Sequence, residues 1–516
     1  MMNEHVNGIS TERANQTLSQ TVNRIENQTV NQGADQGATQ TENQTAEQTA
    51  ANQIENQTAE QTATQTANQT ANQANQTASQ TANGALSLDA WLGRSFDCAC
   101  GRRHEVPIQH IVIERGALGA VAGYAQKSGY RHVTLVADRN TLQAAGTQLR
   151  ELLEDAQVEV SVSVIRENEL GEVAADEEAI VQVLLDTPLA SQAIVAVGAG
   201  TIHDIVRFVA HRTSRPFLSV PSAPSVDGFA SVGAPLIVRG FKMTIPACAP
   251  EAIFADLALL AQAPQAMVAA GFGDMLGKHT SLADWSLGRV LLGEHYCELS
   301  ARLTLEAVEL CTDHLDEIAQ RTEFGMRKLM EGLLLSGLSM LLVGHSRPAS
   351  GAEHHLSHYW EMVLLRQRRK AMLHGAKVGV ATVLMAQRYQ ALQELSAGEA
   401  AARLEQREVP GREADAARIR HAFGDLAEQV IAENFSGDDD ADARSLKARI
   451  VERWGDVQQI ARAVPAPEQL SAWLEAVQGP LTPEQLGVEP ELLAASLADA
   501  LFVRNRFTIL RLQRLL

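Results

Sequence analysis

Ala193-Ile194-Val195-Ala196-Val197-Gly198-Ala199-Gly200-Thr201 reads as a buried strand running into a glycine turn. An unbroken apolar run bounded by glycine suits a strand covered on both faces, as in a parallel sheet. At Gly198 and Gly200 the missing side chains let backbone N–H groups approach a phosphate, and the following helix offers its positive end. An ordinary tight strand–helix turn reads the same way, because Gly-x-Gly alone carries little specificity.

The surrounding text repeats this alternation. Strands are expected over 108–113, 132–137, 158–165, 193–197 and 217–220, with helices over 140–154 and 177–185. Segments 235–238 and 242–245, joined across Arg239-Gly240-Phe241, suggest a hairpin, and 252–255 a last strand. Strand–helix alternation of this kind predicts a parallel, Rossmann-like sheet covered on both faces. After Pro264, suited to a first helical turn, the text is Ala- and Leu-rich and periodic at helical spacing. Helices are expected over 327–343, 367–395 and 413–433.

The chain has 516 residues, enough for roughly three domains. Residues 1–84 form a degenerate Asn-Gln-Thr repeat with almost no large apolar side chain, so a disordered tail is expected there. Its Asn-Gln-Thr triplets match an N-glycosylation pattern, but no apolar signal segment precedes them. The expected architecture is therefore a tail (1–84), an α/β nucleotide-binding domain (85–262) and an all-α domain (263–516), with the active site between the last two. A net charge of −19 argues against broad binding to nucleic acid or an anionic membrane surface. No apolar run approaches the roughly 20 residues needed to span a bilayer. Five scattered cysteines suit a reducing cytoplasm. Cys98-Ala99-Cys100, with one residue between thiols and no second pair in the text, reads against a zinc ribbon.

Other residues carry chemistry. Asp138 ends the strand at 132–137, where a carboxylate could bind a ribose diol and repel a 2′-phosphate; it could equally cap the next helix. That favours NAD(H), with NADP(H) as the alternative. Ser222-Ala223-Pro224-Ser225-Val226-Asp227-Gly228 places hydroxyls and a carboxylate after another strand. His354 and His358 are four residues apart and share one helix face, and His374 adds a third imidazole. Asp274, in Gly271-Phe272-Gly273-Asp274, could be a helix cap with Lys278 as its salt-bridge partner. Spacing alone does not bring such distant residues together.

In this order these residues resemble the sn-glycerol-1-phosphate dehydrogenase family. It stands in the superfamily of iron-type alcohol dehydrogenases, glycerol dehydrogenase and dehydroquinate synthase. The resemblance runs from about Phe96 into the C-terminal region. Its specific motifs are Cys98-Ala99-Cys100-Gly101-Arg102-Arg103-His104, shared with the bacterial branch, the Pro221–Ser231 loop, and Ser350-Gly351-Ala352-Glu353-His354. The resemblance implies Asp274, His354 and His374 as ligands of one divalent ion, zinc or nickel. It implies Asp227, Asp274 and His358 at the substrate, with Asp227 and His358 catalytic. Gly198, Gly200, Thr201, Ile202, His203 and Asp204, with Ser222, Ser225 and Ser231, would hold the dinucleotide. Relatives often carry three glycines at the turn; Ala199 departs from this and requires a negative φ. Where iron-type relatives place a fourth ligand this chain has Lys278, a candidate for the substrate phosphate together with Arg347 and Arg366. The implied activity is metal-dependent hydride transfer between a nicotinamide cofactor and dihydroxyacetone phosphate, in a homo-oligomer. A polyol dehydrogenase of the same superfamily and a catalytically silent nucleotide- or metal-binding protein are the alternatives.

Overall fold

A computed structural model describes residues 87–435 and 442–516; the tail expected over 1–84 lies outside them. After a 3-10 turn at Leu88–Ala90 comes a short antiparallel hairpin, β1 (Ser95–Asp97) and β2 (Arg103–Glu105). A six-stranded parallel sheet follows, built from β3 (His110–Glu114), β4 (His132–Ala137), β5 (Glu159–Val164), β6 (Ala193–Gly198), β7 (Phe217–Pro221) and β10 (Ala252–Asp256). Its order is β3-β10-β7-β6-β4-β5. β8 (Gly233–Val238) and β9 (Phe241–Pro246) form a separate antiparallel hairpin. Arg239 and Gly240, both at positive φ, make its two-residue turn, the geometry that matches the twist of the flanking strands.

Alternation along each strand decides which helices cover which face. Val133, Leu135 and Ala137 of β4 point to the side packed by helices Ala117–Lys127 and Thr147–Asp155. Val136 of β4 and Ile194 and Ala196 of β6 point the other way, toward helices Glu177–Asp186 and Gly200–Arg212. β4 and β6 are neighbours, yet the helices leaving them lie on opposite faces. That divergence opens a crevice at the carboxyl ends of the two strands, where doubly wound sheets bind ligands. Asp138 and the Gly198 turn both sit there.

From Gln265 onward the chain is helical. The main members are Gln265–Leu292, Glu298–Asp313, Glu323–Val343, Ala352–Arg366 and His374–Glu394. Ile111, Ile113, Ile253 and Ala255, on the two strands at one side of the sheet, share a single apolar core with these helices. Two helix expectations need correction. The segment 367–395 begins its helix only at His374, because residues 367–373 leave the helix after Arg366, with Arg368 at φ 53°. The segment 413–433 is two helices, Arg412–Phe423 and Ala427–Asn434, separated at Gly424, whose φ is 56°. Helix Ala117–Lys127 and the β1–β2 hairpin were not anticipated by periodicity; both are short and half-buried.

Candidate metal and nucleotide site

Three helices and one turn bring the distant motifs together. Asp274 lies in the first third of Gln265–Leu292, His354 near the start of Ala352–Arg366, and His374 opens His374–Glu394. The crossing of the first and third helices is set by glycine. A Cβ on Gly375 would lie 1.8 Å from the Ala270 carbonyl oxygen, so only a missing side chain lets the two backbones touch. A Cβ on Gly271 would lie 1.8 Å from the Pro224 carbonyl oxygen, which seats the Ser222–Gly228 loop on the same helix. Close backbone contact thus delivers Asp274, His374 and Asp227 to one place.

One ligand atom each from Asp274, His354 and His374 lies within 4.8 Å of the others. His354 Nε2 is 3.7 Å from Asp274 Oδ1, while its Nδ1 lies 2.7 Å from Glu353 Oε1. That second contact fixes the ring and leaves Nε2 facing the carboxylate, the arrangement by which outer carboxylates orient metal-binding histidines. Glu353 is itself held by Thr280 Oγ1 at 2.7 Å and the Gly351 amide at 2.6 Å. Burial alone would raise the Glu353 pKa, but the hydrogen bonds and charge of its neighbours, led by His354, hold it below the ordinary value. One carboxylate and two imidazoles, with Asp274 and His354 buried and His374 half-buried, fit a divalent cation.

Around this centre the structure assigns each expected residue a definite place. The Asp227 amide donates to Asp274 Oδ2 at 3.0 Å, and its own Oδ2 accepts from Ser336 Oγ at 2.8 Å. The His358 ring stands 6.1 Å from His354 and 5.8 Å from His374, centroid to centroid. Burial pushes the His358 pKa down to about 3, so the ring is neutral. Lys278 is fully buried, with Nζ 2.8 Å from both Asp274 Oδ1 and Asp227 Oδ2 and 3.3 Å from the Ala349 carbonyl oxygen. Its three N–H donors are all matched, so the expectation that it meets a substrate phosphate does not fit. It instead ties the two aspartates together. Arg347 and Arg366 do not reach the site either: Arg347 pairs with Glu294 at 2.8 Å, and Arg366 binds the Ala422 carbonyl at 3.0 Å.

Sequence reasoning missed the cations that do lie here. Glu361, one turn after His358, gathers Lys242 Nζ at 2.7 Å on Oε1, and Lys377 Nζ at 3.1 Å and His358 Nδ1 at 3.7 Å on Oε2. Lys242 comes from the β8–β9 hairpin and Lys377 from the helix begun by His374. No motif links them; the signal was only a lysine three residues after His374.

The residues expected at the dinucleotide divide into two groups. Ala199 caps helix Gly200–Arg212 with φ −89°, so its methyl is accommodated. The Ser222 amide donates to the Gly198 carbonyl at 2.9 Å, laying the turns after β6 and β7 side by side, with Ser225 and Ser231 buried in the second. Thr201 and Asp204 lie on the first turns of that helix. Asp138 is engaged as a helix cap: Oδ1 accepts from the Thr141 amide at 2.8 Å, and the Thr141 hydroxyl lies 3.0 Å from the Asp138 amide. Its other oxygen takes no part in this cap. Ile202 and His203 point inward. Ile202 sits in the core, and the His203 ring nitrogens lie 2.9 Å from the Ala199 carbonyl and 2.8 Å from Ser219 Oγ. These two hold the turn from behind instead of facing a ligand. Asp204 pairs with the buried Arg207 at 3.0 Å, and Arg207 also donates to the carbonyls of Gly228, Phe229 and Gly233. The guanidinium therefore braces the turn that carries Asp227.

Known proteins resemble this chain in sequence and in fold. A family model described as iron-containing alcohol dehydrogenase matches residues 112–264. The chain is 43% identical over 415 residues to an NAD(P)+ glycerol-1-phosphate dehydrogenase of Geobacillus stearothermophilus, covering 80% of this chain and 94% of that one. It is 49% identical over 299 residues to the protein of that name from Bacillus subtilis, covering 58% and 76%, respectively. Among solved structures it is similar to a 1,3-propanediol oxidoreductase (TM-score 0.54, 14% identity, covering 79% of this chain and 96% of that one). An iron-containing alcohol dehydrogenase of Corynebacterium glutamicum is also similar (TM-score 0.52, 16% identity, covering 79% and 94%). These structural likenesses bear on the fold.

Proposed function

The chain belongs to the glycerol-1-phosphate dehydrogenase family, and from that premise we propose that it interconverts dihydroxyacetone phosphate and sn-glycerol 1-phosphate with NAD(P)(H). The observation that carries this reading is the convergence of Asp274, His354 and His374 beneath the loops at the carboxyl ends of the sheet. Those three residues would hold one divalent ion, zinc or nickel. When bound, such an ion supplies Lewis acidity toward a carbonyl oxygen.

The chain's own residues do the rest. The dinucleotide diphosphate is read at the N-terminus of Gly200–Arg212, where free amides and the helix dipole favour an anion. Asp227 Oδ2 is held by both Ser336 and Lys278, which fixes the orientation its carboxylate would offer a substrate hydroxyl. His358, neutral and beside the two imidazoles proposed as ligands, would donate an N–H hydrogen bond to the reacting oxygen as charge develops there, with the proton that completes the alcohol supplied by water. Lys242 and Lys377 are the proposed phosphate partners, since Glu361 alone cannot neutralise both. Accordingly, Lys242→Met is expected to raise KM for dihydroxyacetone phosphate at least tenfold while leaving KM for NADH within twofold. Equal effects on both constants would remove Lys242 from the phosphate role.

The reading includes a cytoplasmic homo-oligomer. Free thiols support the compartment. Val181, Leu184, Leu185 and Leu189, exposed along and just after helix Glu177–Asp186, support self-association. Among the described residues no helix is long and apolar enough to cross a membrane. The direct test supplies NADH, a divalent ion and either dihydroxyacetone phosphate or dihydroxyacetone, and assigns the product enantiomer. NADH oxidation with the phosphorylated ketone, abolished by chelation, is the expected result. Preference for dihydroxyacetone would favour a polyol dehydrogenase, and no turnover with any ion a silent binding protein.

A further inference from the structure

We infer that Cys98, Cys100, His104 and Cys297 form a second metal site, a closed structural zinc site separate from the Asp274 centre. The text of the sequence shows no partner for the Cys98–Cys100 pair; the fold supplies two. One ligand atom from each of the four residues lies within 4.8 Å of the others. Cys98 Sγ is 3.8 Å from Cys297 Sγ, and His104 Nε2 is 3.4 Å from both Cys100 Sγ and Cys297 Sγ. Zinc bonds of about 2.3 Å to sulfur and about 2.0 Å to nitrogen, set tetrahedrally, separate two sulfurs by about 3.8 Å and sulfur from nitrogen by about 3.5 Å. The observed spacings match that figure. A disulfide does not fit them, since bonded sulfurs stand about 2.05 Å apart.

Local structure explains why the four converge. Gly101, at φ 81°, turns the chain between β1 and β2, and the hairpin closes through Cys98 N to Arg102 O at 3.0 Å and Gly101 N to Cys98 O at 3.0 Å. That knuckle offers two thiols, and His104 points inward from β2. Cys297 arrives from the residue preceding helix Glu298–Asp313. His295 Nε2 donates to the Cys100 carbonyl at 3.2 Å, fixing the knuckle from outside. Trp285, Ala301 and Val343, with Leu282, Tyr296 and Leu299 beside them, form the small apolar cluster around it. Two strands of three residues are too short to be stable by themselves. A cation bridging them to Cys297 would clamp the hairpin onto the helical half. Four protein ligands leave no open position, which makes the site structural.

The test uses the full chain carrying His354→Ala and His374→Ala, which removes the first centre. After loading with zinc sulfate and desalting, elemental analysis is expected to find one zinc per chain. Adding Cys98→Ser and Cys297→Ser should bring this to zero. Because the serine variant could fail to fold, the histidine variant with intact cysteines is also titrated with a mercurial, which should release its zinc as three thiols react. Cobalt in place of zinc should give the near-ultraviolet thiolate-to-cobalt charge-transfer band. A histidine variant that retains no zinc, or whose cobalt form lacks that band, overturns the proposal, as does a Cys98–Cys297 disulfide in an unreduced peptide map.

Discussion

Glu353 shows how much a single side chain outside the ligand set can decide. Its carboxylate fixes the ring of His354, one of the proposed ligands, through Nδ1 and is held there by Thr280 and the Gly351 amide. Removing its charge while keeping its shape loosens that ring, and outer-sphere losses of this kind weaken metal affinity about 10–100-fold. Glu353→Gln is therefore expected to need correspondingly more metal for half-maximal activity, with kcat largely restored at saturating ion. A metal titration of activity checks this; an unchanged midpoint would show that Glu353 does not orient the ligand. His203 sits at the opposite extreme. Its pKa is lowered to about 3 by burial, against an ordinary 6.5, so the folded state rejects a proton that the unfolded chain accepts. Its contribution to stability is complete above about pH 6.5 and is lost as pH falls toward 3, at up to about 1.4 kcal/mol per pH unit. The melting temperature of His203→Gln is expected to fall less than that of the unaltered chain between pH 6.5 and 5, measured by calorimetry.

At the level of elements, the crossing of Gln265–Leu292 and His374–Glu394 matters most. Gly375→Ala places a methyl against the Ala270 carbonyl, so the helices must separate. Overpacking of this sort costs about 1–3 kcal/mol. The larger consequence is displacement of His374 from Asp274, with activity expected to drop at least a hundredfold while far-ultraviolet circular dichroism is kept. Near-normal turnover would mean the crossing has slack. Legibility in the sequence follows the same physics. The sheet strands were readable because a strand buried on both faces is an unbroken apolar run; 132–137 agrees with β4 residue for residue. Boundaries failed where a helix stops for a local reason, as after Arg366 and at Gly424. The proposed ligands came from motif resemblance, whereas their convergence depends on close glycine contacts between segments remote in the sequence, Gly375 on Ala270 and Gly271 on Pro224, which no local pattern records. Of the two readings of Lys278, the salt bridge to Asp274 is present, while its sequence neighbourhood does not reveal that Asp227 also closes over it. Lys242 was missed because a hairpin remote in the text folds back beside His358.

For the molecule as a whole, the groups proposed to activate a ketone and those proposed to recognise its anionic tail have different origins. The former stand on helices locked by main-chain contact. One of the latter, Lys242, stands on a two-stranded ribbon outside the main sheet, joined to Glu361 by an ion pair. A substitution in the ribbon changes no coordination bond and no helix crossing. Retuning what is accepted can therefore proceed by editing a short peripheral appendage while the helix-borne centre is left untouched.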